Sequence, residues 1–166
     1  MTSSKSASRP RITEDEVRKN FKSMIDEFTS HNPPTYGRQF QKILQLKEVQ
    51  FEEGIVGRLI FVINIPNTLR NAYNIAHGGA IAAIIDDSTW ATVYAFTGKY
   101  MYSMKLITEF ISGVPIETDL IFEIEVTKVS KTMAFTEAII KDAKTMQTLG
   151  KGANVMAMPP EKSPKL

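Results

Sequence analysis

The chain has 166 residues, 43% hydrophobic and 23% charged, with a formal net charge of +2, no cysteine and two histidines. That length favours one domain with a core of its own, and so apolar a chain with so little net charge is not intrinsically disordered. Its longest apolar runs, 59–63 and 80–85, fall far short of the roughly 20 residues of a membrane-spanning helix. The absence of cysteine removes disulfides, thiolate nucleophiles, iron–sulfur ligation and cysteine zinc sites. A charge this close to zero leaves no electrostatic footprint for nucleic acid.

Residues 1–11 carry Lys5, Arg9 and Arg11 with no acid, and are Ser-rich without a large apolar residue apart from Met1. They read as a disordered basic tail. The same composition suits a mitochondrial transit peptide, although an amphipathic face is missing. With no secretory apolar stretch either, the expected location is intracellular, cytoplasmic or mitochondrial. Residues 12–158 are the expected single domain, and 159–166 a flexible C-terminal tail.

Thr13-Glu14-Asp15-Glu16 has the form of a capping box with acids in the first turn, where the helix dipole favours them. Val17, Phe21, Met24, Ile25 and Phe28 follow at spacings of three and four, which predicts a helix with one apolar face, ending near His31-Asn32-Pro33-Pro34. From Ile43 the period shortens to two. Residues 43–49 and 57–65 are rich in branched side chains around Glu52-Glu53-Gly54, a hairpin signal. Residues 67–75 read as a loop. His77-Gly78-Gly79 then opens the most apolar segment, 80–96, which Gly98 closes and which is polar only around Asp86, Asp87 and Ser88. A helix apolar nearly all round is one wrapped by other structure. Strands are predicted over 102–111, 118–129, 133–141 and 150–158, running as a meander. The order predicts an α+β fold: an antiparallel sheet of five or six strands around one long central helix, with an extra N-terminal helix.

Sequence motifs strike off several mechanisms. There is no G-x-S-x-G elbow, no phosphate-binding G-x-x-x-x-G-K-[ST] loop and no H-E-x-x-H pair. What remains is residues 71–88. Gly78 and Gly79 stand at a helix start, where the first backbone N–H groups lack partners and can hold an oxyanion. Asp86 lies inside the apolar helix, where a carboxyl is suited to general-base work. On the residues alone, Gly78-Gly79 is equally a tight turn and Asp86 equally a half-exposed acid.

The run Asn71-Ala72-Tyr73-Asn74-Ile75-Ala76-His77-Gly78-Gly79 with Asp86 nine positions after His77 resembles the signature of hotdog-fold acyl-CoA thioesterases. These belong to the PaaI and 4-hydroxybenzoyl-CoA thioesterase superfamily, and the resemblance is greatest to the enzymes similar to thioesterase superfamily member 2 (acyl-CoA thioesterase 13). Ser103 with Phe110 matches the family's strand after the helix, and Lys-Val-Ser-Lys-Thr-Met-Ala-Phe-Thr at 128–136 resembles its K-x-x-K-T-x-A-F-T segment. The resemblance implies Asp86 as general base or water-orienting carboxylate, with Ser103 helping to hold that water. It implies Gly78 as the oxyanion donor, with His77 and Asn71 positioning the thioester. It further implies a CoA channel along Phe110, Ile111, Ser112 and Gly113 and along Lys128, Val129, Ser130, Lys131 and Thr132. Relatives commonly show an aromatic-x-[ST]-Pro-[AG] turn where this chain has Phe110-Ile111-Ser112-Gly113-Val114.

The expected function is hydrolysis of acyl-CoA to free acid and CoA by direct water attack, with no metal or organic cofactor. A non-catalytic acyl-CoA-binding protein of the same fold is the alternative, and a hotdog hydratase or dehydratase a further one. Helix geometry adds an expectation about assembly. Eight residues of helix separate Gly78 from Asp86, roughly 12 Å at about 1.5 Å each. One thioester cannot reach both on one helix, so the sites should be shared in a homodimer, itself able to pair into a homotetramer.

Overall fold

The computed structural model describes residues 12–159. The tail expected over 1–11, and the C-terminal tail beyond Pro159, lie outside the described residues.

Helix α1 (Glu14–Ser30) begins on the expected capping box: the Thr13 side chain accepts the Glu16 N–H, and the Glu16 carboxylate accepts the Thr13 N–H. Val17, Phe21 and Met24, the heart of its predicted apolar face, are buried. A short helix, α2 (Arg38–Gln41), follows the proline-containing loop and buries Phe40 and Gln41. Strands β1 (Gln45–Gln50) and β2 (Gly57–Asn64) form the expected antiparallel hairpin. Helix α3 (Gly78–Thr97) comes next, then β3 (Tyr102–Phe110), β4 (Asp119–Val129), β5 (Met133–Asp142) and β6 (Thr148–Ala157). The expected loop over 67–75 starts with a single 3-10 turn, Asn67–Leu69.

All six strands join one antiparallel sheet in the order β1-β2-β4-β5-β6-β3. The four-strand meander expected from sequence is therefore corrected. Of those four strands only β4, β5 and β6 run as neighbours in chain order; β4 also pairs with β2, and β3 lies beyond β6 at the far edge. Burial explains the difference. Leu120, Phe122, Ile124 and Val126 of β4 are fully buried, as are Leu59, Phe61 and Ile63 of β2, and register sets Phe61 opposite Phe122 and Leu59 opposite Ile124. Two strands with the same inward row stabilise each other at the centre of a sheet. β3 is exposed along most of its length and suits an edge.

The sheet curls around α3, whose Ile81, Ile84, Ile85, Ala91 and Val93 are buried. α1 covers the helix's other side, and Asn20 Nδ2 donates to the Ala95 carbonyl at 3.0 Å. Gly152 brings β6 close to α3: a Cβ there would fall 2.7 Å from Ile85 Cγ2. That close approach lets a β6 side chain reach the helix's polar residues. No helix among the described residues is long and apolar enough to cross a membrane.

Candidate active site

The loop entering α3 is built around Asn71. Its Oδ1 accepts the N–H groups of Tyr73 (2.8 Å) and Ile75 (3.4 Å), and its own N–H donates to the Ile75 carbonyl at 2.8 Å. This side-chain turn fixes the chain reversal locally. Ala76 N–H then donates to the Val114 carbonyl, tying the loop to the segment after β3. His77 caps the helix: its Nδ1 accepts the Gly79 N–H at 3.0 Å. The Gly78 N–H has no partner among the described residues. It stands at the positive end of a 20-residue helix. Gly78 and Asn71 line a cavity of about 360 Å³ with Phe110, Ile111, Ser112 and Gly113. A Cβ on Gly78 would lie 3.3 Å from Phe110 Cζ, so the aromatic ring covers the helix start. The His77 ring lines a different hollow, with Tyr36, Gln39 and Arg70.

Two turns further along, Asp86 is held by a polar cluster. Its Oδ1 accepts from Ser103 Oγ on β3 and from Asn154 Nδ2 on β6, the latter at 2.9 Å. Asn154 Nδ2 also lies 2.9 Å from Ser103 Oγ and 3.1 Å from Thr89 Oγ1. Asn154 is 0% exposed, and its Oδ1 has no partner among the described residues. Both donors converge on one Asp86 oxygen, leaving Oδ2 without a protein partner among the described residues. The carboxylate is thus fixed in orientation with one oxygen still able to take a proton. Asp86, Asp87, Trp90 and Ser103 line a hollow of about 220 Å³. The carboxyl that burial pushes up is Asp87, to about 7, opposed by a hydrogen bond from Gln41 and reinforced by the charge of Asp86.

The structure thus assembles two groups. Asn71, Gly78 and 110–113 share one cavity; Asp86 and Ser103 share another. Along β3 the two lie seven residues apart, roughly 23 Å of strand from Ser103 to Phe110. The β4–β5 turn, with Lys128, Val129, Ser130, Lys131 and Thr132, lies on the Ser103 side, because Met133 and Tyr102 both pair with Ala157. Ser130 Oγ accepts the N–H groups of Thr132 and Met133 and shapes the turn. Lys128 and Lys131 are exposed and form no ion pair among the described residues. No group of three or more metal-ligating side chains occurs among the described residues.

Asn154 was missed by sequence reasoning. Its signal was an amide in the inward row of β6, between Gly152 and Met156, where an apolar residue is the norm. Such a residue needs a buried polar partner.

A curled antiparallel sheet around one long buried helix defines the hotdog class, and solved structures share it. Mouse thioesterase superfamily member 2 superposes with a TM-score of 0.68 at 14% identity, covering 89% of this chain and 100% of its own. The zebra fish thioesterase superfamily member 2 gives 0.71 at 15% identity, with 89% and 99% covered. A Streptococcus mutans protein solved bound to acetyl CoA gives 0.60 at 16% identity, with 72% and 91% covered. Residues 73–149, from the loop before α3 to the start of β6, match the model of the thioesterase superfamily. The chain therefore has the hotdog fold, and over residues 73–149 it is similar to that superfamily. No curated protein gives a significant match.

Proposed function

We propose that this protein hydrolyses acyl-CoA thioesters to free acid and CoA, working as a homodimer with two shared active sites. The observation that carries this reading is the cluster of Asp86, Ser103 and Asn154, which orients a carboxylate and leaves one oxygen free. In the proposed reaction Asp86 Oδ2 takes a proton from a water positioned with the help of Ser103, and the water oxygen attacks the thioester carbon. The carbonyl oxygen becomes an oxyanion and is stabilised by the Gly78 N–H at the helix start. The tetrahedral intermediate collapses, breaking the C–S bond; the CoA thiolate leaves and the proton on Asp86 passes to product or solvent. No metal or organic cofactor enters these steps.

Edge strand β3 supports the dimer. Tyr102, Met104, Leu106, Ile107 and Phe110 are exposed along it, followed by Ile111. An unpaired edge with a row of large apolar side chains favours pairing with another strand. Antiparallel pairing of two β3 strands about a two-fold axis sets Ser103 of each copy toward Phe110 of the other. Asp86 of one subunit would then work with Gly78 and Asn71 of the partner subunit. Lys128 and Lys131 would face the same cleft, near enough to meet the phosphates of CoA. A neighbouring fold solved with acetyl CoA is consistent with this class of substrate, and acyl-CoA as substrate fits an intracellular location.

Release of free thiol from a panel of short, long and aromatic acyl-CoAs, followed with a thiol reagent, tests the reading. Turnover on at least one acyl-CoA is expected, with loss in Asp86→Asn. Tight acyl-CoA binding without turnover on any member of the panel would replace the hydrolase with a binding protein.

A further inference from the structure

Beside Asp86, a second carboxyl is placed for a different task. Asp87 on α3 meets Gln41 on α2, whose Nε2 donates to Asp87 Oδ1 at 3.1 Å. Gln41 is 4% exposed, and its Oε1 is buried with no donor among the described residues. The backbone of Gly37 closes the same spot, since a Cβ there would lie 2.7 Å from Asp87 Oδ1 and 3.2 Å from Oδ2. Around Asp87, α3 contributes the like charge of Asp86, α2 contributes Gln41, and β3 contributes Ser103, which lines the same hollow. Arg38, the one cation of α2, makes no ion pair with it.

An ionised Asp87 would leave the buried Gln41 Oε1 without a donor and set two negative charges on adjacent residues. A neutral acid removes both problems. We propose that Asp87 is held as a protonated acid, its hydroxyl donating to Gln41 Oε1 while its carbonyl oxygen accepts from Gln41 Nε2, and that this acid–amide pair is a proton-linked latch fastening α2 to the central helix. Burial pushing Asp87 up to about 7 agrees with that protonation state. α2 and the residue before Gly37 carry Gln39 and Tyr36, which wall the hollow beside His77 and Gly79. Loss of the proton would therefore loosen one wall at the start of α3 and add a charge beside Asp86. That effect on turnover rests on the hydrolase reading; the latch itself does not.

Thermal unfolding across a pH series separates the two. The folded-state value lies above the ordinary carboxyl value of 3.8, so the native state holds this proton more tightly than the unfolded chain does. The stabilisation it gives is complete below about pH 4 and is lost as pH rises through about 7. Asp87→Asn keeps both hydrogen bonds without the titration, because its amide can donate to Gln41 Oε1 and its oxygen accept from Nε2. Between about pH 4.5 and pH 8 the wild-type melting temperature should fall by about 5 °C more than that of Asp87→Asn. Parallel curves would overturn the latch. If Asp87→Asn does not fold, infrared spectra of the wild-type protein with isotope-labelled aspartate decide: a protonated carboxyl band at about pH 6 that is gone by about pH 8.5 is expected. Absence of that band at the lower pH would overturn the proposal. A protein with this response but no thioesterase activity would overturn the hydrolase reading alone, and an active protein without it the latch alone.

Discussion

The start of α3 and its middle are opposite in chemical kind. At the start, Gly78 offers an unpaired N–H to a cavity lined by Asn71 and by mostly apolar side chains, with no titratable group in its wall. In the middle, Asp86 offers an acceptor oxygen beside a hollow whose other walls are Asp87, Trp90 and Ser103. One region can stabilise negative charge and the other can create a nucleophile. Neither contains what the other supplies, and roughly 12 Å of helix lies between them. Under the proposed function a single subunit would hold two half-sites, and the exposed β3 edge between them would bring two copies together.

The sharpest way to break the comparison is to disable one half. Asp86→Asn keeps the shape and both Oδ1 contacts in outline but removes the base, so turnover should drop by about 10²–10⁴, the usual range for a general base. Steady-state kinetics on the folded variant checks this. If Asp87→Asn is crippled while Asp86→Asn is not, the base is the neighbouring acid. A mixing experiment then asks whether the halves come from different chains. Asp86→Asn refolded with an equal amount of Asn71→Ala, each expected to be nearly inactive alone, should pair at random. About half the dimers are then mixed, each with one intact and one doubly altered site, and activity should return to roughly a quarter of wild type. No recovery, with mixed dimers demonstrated by mass spectrometry, would confine the site to one chain.

The two regions were also unequally legible in the sequence. The start of α3 was visible because its parts are close neighbours in the chain: Asn71, His77 and Gly78 are one loop and a cap, and the apolar run behind them marks the helix. The α1 capping box and the β4 alternation of Leu120, Phe122, Ile124 and Val126 were readable for the same reason. Around Asp86 only Ser103 was legible, and that through the family resemblance. Asn154 reaches Asp86 from 68 positions away, and only the β5–β6 and β6–β3 pairings bring that strand under the helix. α2 was missed because four residues are hardly more than one helical turn and show no period. With α2 went Gln41, and with Gln41 the environment of Asp87. The placement of β3 at the far edge depends on which strands share an inward row, a property of the whole sheet.

Smaller changes to the Asp86 half sharpen the comparison. Asn154→Leu removes a buried amide at similar volume, together with its orphaned Oδ1, so the fold should survive. Removing a hydrogen bond to a charged group costs about 1.5–3 kcal/mol, so kcat should fall about 10–100-fold with KM little changed. Ser103→Ala should fall at the lower end of that range, because the other Asp86 donor, Asn154, remains. A rise in KM with kcat intact in either variant would move that residue from orienting the carboxylate to binding substrate.

The smallest expected effect concerns the β4–β5 turn, which shares the Ser103 side of the sheet but none of its hydrogen bonds. Ser130 holds this turn by accepting from Thr132 and Met133, so replacing the flanking cations leaves its shape intact. Lys128 and Lys131 are exposed, and an exposed cation meeting a phosphate contributes about 0–1 kcal/mol. Lys128→Ala combined with Lys131→Ala should therefore raise KM for acyl-CoA only about 3–10-fold while leaving kcat unchanged. A truncated thioester without the nucleotide phosphates should show no change at all. Salt provides an independent check, since screening acts on the same contacts: the wild-type KM for acyl-CoA should climb with ionic strength, and that of the double variant should climb less. Equal losses on both substrates would mean that the two lysines act on the turn or the fold, and the phosphates of CoA would then have to be met elsewhere along the cleft.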